Sequence, residues 1–176
     1  MYRIVHNPSR NLPDTAAFVR TLNELGQDPQ PDVRGLFDGN SDLVVARAPG
    51  RLDVMGGISD YSGSLVLQMP IQEAAFVALQ LDPIRKVTLV TLTEDCSRQS
   101  SEEVHLAELE EHGNPVDYNA ARTRFERDPS RHWAAYVAGV FIVLMREGHV
   151  RFSRGARLLV GSQVPEGKGV SSSAAI

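Results

Sequence analysis

Cysteine is almost missing from this chain, with Cys96 standing alone in 176 residues. One thiol cannot build a disulfide framework, so a small disulfide-stapled scaffold is excluded and a reducing, cytoplasmic setting is expected. Lysine is nearly as scarce. Lys86 and Lys168 are the whole complement and arginine supplies the remaining basic charge; no function follows from that habit of composition. Positive charge is not in excess either. The formal net charge is −4, which argues against a nucleic-acid partner. Long apolar runs are lacking as well. The longest, residues 133–145, falls short of the ~20 residues that span a bilayer. Residues 1–10 hold charges and a proline but no apolar core of a signal peptide. No membrane association is expected.

What is present suits a folded domain. Apolar residues make up 42% and charged residues 23% of the chain, which excludes a disordered or collagen-like polymer and leaves room for one core. Residues 1–40 are weakly patterned and read as an extension or linker ahead of a domain over 41–176. Inside that extension, residues 14–25 predict a helix with Asp14 as N-cap and Gly26 as its stop. The prolines of Asp28-Pro29-Gln30-Pro31-Asp32 predict a loop.

From Leu43 the pattern turns to strands. Residues 43–46 predict a short buried strand ended by Ala48-Pro49-Gly50. Residues 64–69 and 74–81 predict two strands parted by Pro70. Residues 86–93 alternate as a half-buried strand does, and residues 156–160 predict a last one. The acidic stretch over 94–115 predicts a solvated helix face bearing Glu108, Glu110 and Glu111. Trp133, Tyr136, Val137, Val140, Phe141 and Leu144 recur at helical spacing and predict a helix over 132–148, buried on most sides and stopped by Gly148. Strand following strand, with at least one long helix, predicts an α+β fold.

Two segments carry chemistry. Val164-Pro165-Glu166-Gly167-Lys168-Gly169-Val170-Ser171-Ser172-Ser173-Ala174-Ala175-Ile176 follows a strand and reads as the mouth of a helix. Glycines let the backbone approach a ligand and take positive φ, and free N–H groups at a helix start favour a phosphate. A plain N-cap by Ser171 or Ser172 after a flexible turn is the bland alternative. The segment is not a Walker A loop. Five residues separate Gly161 from Gly167-Lys168 instead of four, and Gly169 stands where Ser or Thr is required. Nor is it a dinucleotide fingerprint, because Ser172 occupies the third glycine position.

The second segment is Ala48-Pro49-Gly50-Arg51-Leu52-Asp53-Val54-Met55-Gly56-Gly57-Ile58-Ser59-Asp60-Tyr61-Ser62-Gly63. An arginine here can stabilise charge on a transferring phosphoryl group, and an aspartate such as Asp60 can accept hydrogen bonds from vicinal sugar hydroxyls. Asp53 and Asp60 also fit Asx turns, and for Asp53 that is the reading adopted.

Together the two segments resemble the first two signature motifs of the GHMP kinases, the family of galactokinase, homoserine kinase, mevalonate kinase and phosphomevalonate kinase. Residues 165–175 match the family's nucleotide loop, Pro-x-Gly-x-Gly-Leu-(Ser/Gly)-Ser-Ser-Ala-Ala, with Val170 in place of leucine. Residues 48–61 match the galactokinase substrate motif, Ala-Pro-Gly-Arg-Val-Asn-Leu-Ile-Gly-Glu-His-x-Asp-Tyr, with Gly57-Ile58 in place of Glu-His. That departure, and the wording around it, resemble the L-arabinokinase-like branch. L-Arabinopyranose is galactose without its exocyclic CH₂OH, and losing Glu-His is consistent with losing contacts to that group.

The resemblance implies an α/β sandwich of the ribosomal protein S5 domain 2-like type, the GHMP kinase N-terminal domain, here cut short. It implies a sugar 1-kinase that moves the γ-phosphoryl of ATP to an anomeric hydroxyl with Mg²⁺. Arg51 is then the catalytic arginine. Asp60, Tyr61 and Gly57 are implied to meet the monosaccharide, of the L-arabinose or galactose type. Pro165, Gly167, Lys168, Gly169, Ser171, Ser172 and Ser173 are implied to hold ATP, with Ser173 also on the metal. A C-terminal half of the same kinase, carrying the general base, is expected as partner, and the 176 residues alone are expected to be inactive. The rival readings are a GHMP kinase for heptose or another alcohol, and a non-catalytic sugar-binding regulator. His6, His105, His112, His132 and His149 lack metal-site spacing and are expected at the surface or in caps, and Cys96 is expected to be inert.

Overall fold

The computed structural model describes residues 1–6, 12–92, 101–128, 132–165, 167–170 and 175, with backbone only for 58, 60, 61 and 132. Its elements run α1 (Pro13–Glu24), α2 (Pro31–Arg34), β1 (Val44–Met55), β2 (Leu67–Asp82), β3 (Lys86–Leu92), β4 (Ser101–His105), β5 (Glu110–Glu111), β6 (Asn114–Pro115), α3 (Tyr118–Glu126), α4 (His132–Arg146) and β7 (Gly155–Ser162). The main sheet has the order β1-β2-β7-β3-β4. Only its β3–β7 pair is parallel. The α+β expectation holds.

Strand β7 lies at the centre, and its side chains explain the layering. Ala156, Leu158 and Val160 join a core with Val137, Phe141 and Ile142 of α4 and Phe125 of α3. Leu159 points to the other face, where Phe18 and Leu22 of α1, Val33 of α2 and Leu36 pack with Phe76, Ala78 and Val90. A strand covered on both faces carries apolar residues at successive positions, and the run Leu158-Leu159-Val160 has that form. Phe18 stacks on Phe76 with ring centroids 5.0 Å apart. The segment read as an extension or linker thus supplies the cover for one face of the sheet.

Several boundaries differ from expectation. Asp14 is not the N-cap of α1. Leu12 holds that position, Pro13 opens the helix, and Asp14 instead pairs with Arg47 of β1 at 2.7 Å. Pro31, expected in a loop, opens α2. β1 does not end at Ala48-Pro49-Gly50, and β2 runs through Pro70. Both prolines are tolerated because they lie where the sheet has an edge. β1 is the outermost strand, and β2 gains its second neighbour, β7, only from Ala75 onward. The missing donors therefore cost few ladder bonds, and the β1–β2 register shifts between Pro49 and Arg51.

Glu108, Glu110 and Glu111 do not share a helix face. Residues 106–109 form a 3₁₀ turn in which Glu108 accepts from the His105 N–H at 3.1 Å, and Glu110 pairs with Arg85 at 2.7 Å. α4 is buried on one side, not most. Ala134, Ala138 and Ile142 are sealed, whereas Tyr136, Val140, Val143 and Leu144 are exposed. Beyond α4 the left-handed residue is His149 (φ 52), and the Val150 N–H closes the helix on the Leu144 carbonyl at 3.0 Å. Gly148 is still required, since a Cβ there would sit 2.8 Å from the Leu144 oxygen. His112 (φ 51) and Gly113 (φ 79) form the two-residue loop between β5 and β6.

Candidate functional site

The two sequence motifs meet at one end of the sheet. β1 and β2 extend past the C-terminal end of β7, so their far halves form a two-stranded ribbon. The chain leaving the C-terminal end of β7 runs back against that ribbon. Gln163 N–H donates to the Ala74 carbonyl, and Arg51 N–H donates to the Val170 carbonyl, each at 3.0 Å. Val164 and Ala175 pack on Ala75, with Ala48 and Val170 beside them. Gly50 is buried in this junction. A Cβ on it would lie 2.8 Å from Val164 Cγ1 and 2.9 Å from Ile71 Cδ1, so only glycine lets the glycine-rich segment lie this close to β1.

Arg51 and Asp53 project from the same face of β1, two residues apart as strand geometry dictates. Arg51 Nε lies 3.3 Å from Asp53 Oδ1, with the side chains 39% and 29% exposed. Both atoms are buried, and neither has an aligned hydrogen bond. Asp53 is therefore a strand residue facing an arginine, which corrects its Asx-turn reading. The alternation Arg51-Leu52-Asp53 is the sequence signal for this placement, and Pro49-Gly50 obscures it by looking like a strand end.

Gly57 opens a 3₁₀ turn, Gly57–Ser62, that also carries Asp60 and Tyr61. The Asp60 and Tyr61 side chains fall outside the described residues. Gly56 (φ 92) makes the corner: its carbonyl accepts from Ser59 N–H at 2.6 Å, and a Cβ on it would meet Val66 Cγ1 at 2.9 Å. The turn follows Arg51 by six residues and starts just past the end of β1.

In the glycine segment, Gly167 and Gly169 take φ 67 and 71, and nothing lies within 4 Å of a Cβ placed on either. Lys168 stands exposed between them, as does Pro165 before them. An open, left-handed backbone flanked by a cation fits an anionic ligand such as a phosphate chain. Ser171, Ser172 and Ser173 fall outside the described residues, as does Cys96. No group of three His, Cys, Asp or Glu side chains is arranged for a metal among the described residues. His105 caps the 3₁₀ turn over 106–109. No described helix is long and apolar enough to cross a membrane.

A cleft lies at the opposite end of the sheet. Its ≈ 410 Å³ is lined by Asp82, Lys86, Ser101, Glu103 and Arg157 among others. Asp82 is paired with Arg157 at 2.6 Å, Lys86 with Glu103, and Ser101 with Asp32. These charges are already satisfied by one another.

A family model described as the galactokinase galactose-binding signature matches residues 34–81, the stretch that holds β1, the 3₁₀ turn and most of β2. The fold is similar to Lactococcus lactis galactokinase solved with galactose, at TM-score 0.63 and 21% identity over 90% of this chain and 34% of that one. It is similar also to Methanococcus jannaschii mevalonate kinase, at TM-score 0.55 and 15% identity over 76% and 37% of the two chains. The architecture is the N-terminal domain fold of the GHMP kinases, and residues 34–81 resemble the galactokinase signature.

Within that class the sequence is similar to L-arabinokinase of Arabidopsis thaliana, with 40% identity over 99% of this chain and 20% of the relative. The chain thus spans about a fifth of that relative and about a third of the two solved kinases. These relatives are small-molecule kinases, and the L-arabinokinase and the galactokinase are named for sugars.

Proposed function

We propose that the protein carrying this chain is an ATP-dependent sugar 1-kinase of the galactokinase and L-arabinokinase type. The observation that carries the proposal is the hydrogen bond from Arg51 N–H to the Val170 carbonyl, 3.0 Å. It sets the arginine of the sugar-kinase motif directly against the glycine segment, as phosphoryl transfer requires of a phosphate cradle and a charge-stabilising donor.

The chain's own residues then divide the work. The open backbone at Gly167 and Gly169, with Lys168 beside it, holds the phosphates of ATP. Bound ATP supplies the phosphoryl group. Arg51 offers donors to the oxygens on which charge builds during transfer, and such preorganised donors need no reorganisation at the moment of reaction. Ser171, Ser172 and Ser173 are assigned to ATP, and Ser173 also to Mg²⁺, by family resemblance alone. Gly57, Asp60 and Tyr61 on the 3₁₀ turn are assigned to the sugar by family resemblance. Gly57-Ile58 in place of Glu-His supports L-arabinose over galactose. A cytoplasmic setting suits the lone cysteine.

A coupled assay of ADP release by the intact protein tests the reading, using ATP, Mg²⁺ and a panel of L-arabinose, D-galactose, heptoses and non-sugar alcohols. Preferred turnover of L-arabinose is expected. A strong preference for galactose sinks the arabinose assignment, and turnover of a non-sugar alcohol alone sinks the sugar kinase. Binding of sugar and ATP without turnover points to the regulator instead.

A further inference from the structure

The Asp53 carboxylate has no role in the reading above, and its position is unusual in two ways. It replaces the asparagine of the galactokinase motif. It also places a buried oxygen, Oδ1, 3.3 Å from the buried Nε of Arg51, and neither atom has another polar partner among the described residues. Buried donors and acceptors are normally satisfied, and a pair left facing each other without alignment calls for an explanation. The guanidinium is a planar fork with one donor at Nε and four at the two terminal nitrogens. A carboxylate at the Nε edge fixes the rotation of the fork and leaves both terminal nitrogens free. Those nitrogens have no partner among the described residues. Catalytic hydrogen bonds are commonly misaligned without substrate and tighten when it binds.

We propose that Asp53 is a positioning residue for Arg51: it holds the guanidinium by its Nε edge, so that the two terminal nitrogens are presented to the transferring phosphoryl group. The inference rests on the sugar-kinase reading for its effect on rate, but not for the pairing itself. A structural alternative would have Asp53 act only by stabilising the β1–β2 ribbon. That alternative predicts a loss of folded protein with no selective loss of kcat. An arginine held from the side loses little substrate affinity when released, because its contact forms chiefly in the transition state.

The experiment uses the intact protein in five forms: wild type, Asp53→Ala, Asp53→Asn, Arg51→Lys and the double variant Arg51→Lys/Asp53→Ala. Asp53→Ala is expected to lower kcat about tenfold or more while the sugar KM changes less than about threefold. Asp53→Asn, which keeps an oxygen at the same reach, is expected to recover most of that loss. In an Arg51→Lys background, Asp53→Ala is expected to add less than a twofold further loss, because the fork it positions is gone. The pairing is read separately by ¹⁵N spectra of arginine Nε–H groups, with the Arg51 signal identified by its loss in Arg51→Lys. That signal is expected to be protected from exchange in wild type and exposed in Asp53→Ala. An unprotected wild-type signal overturns the proposal, as does an Asp53→Ala protein with unchanged kcat or with its full loss retained in the Arg51→Lys background. If wild type turns over no substrate, the sugar-kinase reading fails while the Nε–H spectra still decide the pairing.

Discussion

Arg51 donates its backbone N–H to the carbonyl of Val170 at 3.0 Å, and this one bond ties a strand motif to a loop motif more than a hundred positions later in the chain. Its backbone does the anchoring, so the junction does not depend on its side chain. Arg51→Ala in the intact protein is therefore expected to fold. The half-exposed pair with Asp53 contributes under about 1 kcal/mol to stability. Turnover should fall by about 10³-fold, the range for a charge-stabilising arginine in phosphoryl transfer. Steady-state kinetics beside a denaturation curve separates the two effects, and equal loss in both would contradict the assignment.

Gly50 makes the junction possible. A Cβ there would press on Val164 and Ile71 at 2.8 and 2.9 Å, so Gly50→Ala should cost about 1–3 kcal/mol by overpacking. Gly50→Val should cost more and raise the KM for ATP, because it pushes the glycine segment from β1. Urea unfolding and ATP titration check this. A Gly50→Val protein with wild-type ATP affinity would show that the contact does not position the loop.

The face covered by α1 should be as important as the face covered by α4. Phe18 is 7% exposed and stacked on Phe76. Phe18→Ala is expected to destabilise by about 3–5 kcal/mol, and deletion of residues 13–36 should expose Phe76 and Leu159 and prevent cooperative unfolding. A calorimetric scan of either variant reads this directly. Unchanged melting would return residues 1–40 to the status of a linker.

Asp82 ties β2 to β7. Its side chain is 2% exposed and meets Arg157 at 2.6 Å, and it accepts from Ile84 N–H at 2.9 Å. Burial alone raises its pKa, but the Arg157 and Ile84 hydrogen bonds outweigh it and hold the carboxyl below its ordinary value. A carboxylate with a depressed folded pKa contributes stability fully above its unfolded pKa of about 3.9, and that contribution is lost as pH falls through the folded value. Asp82→Asn should cost about 1–3 kcal/mol at neutral pH, short of the full cost of a broken buried pair because Arg157 keeps contact with water. The variant's stability should also decline less between pH 5 and 2 than that of wild type, as acid-dependent urea midpoints would show.

Much of the site was legible in the sequence because its chemistry is local. Glycines at 167 and 169 announce positive φ, and Arg51 follows Pro49-Gly50 in a motif that needs no tertiary information. What was not legible depends on neighbours. Pro49 and Pro70 look like strand breakers until the sheet order shows that both stand at an edge. Asp53 looks like a turn residue until β1 is seen to continue past Gly50. Helix α3 has only Ala121 and Phe125 buried, too few for a periodicity to stand out, and its Asp117 cap becomes visible only with the Ala120 N–H at 2.8 Å. The apolar repeat of α4 was read correctly as helix, but periodicity does not reveal that Tyr136 and Val140 face outward.

The central claim is phosphoryl transfer from ATP to an anomeric oxygen, at a site where Arg51 and the glycine segment meet. The most direct measurement is ³¹P NMR of the product formed by the intact protein from L-arabinose, ATP and Mg²⁺. ADP and a sugar phosphate whose phosphorus couples to the proton on C1 are expected, with no such product from the Arg51→Ala protein on the same timescale. A phosphate on any other hydroxyl, or undiminished C1 product from Arg51→Ala, would contradict the claim.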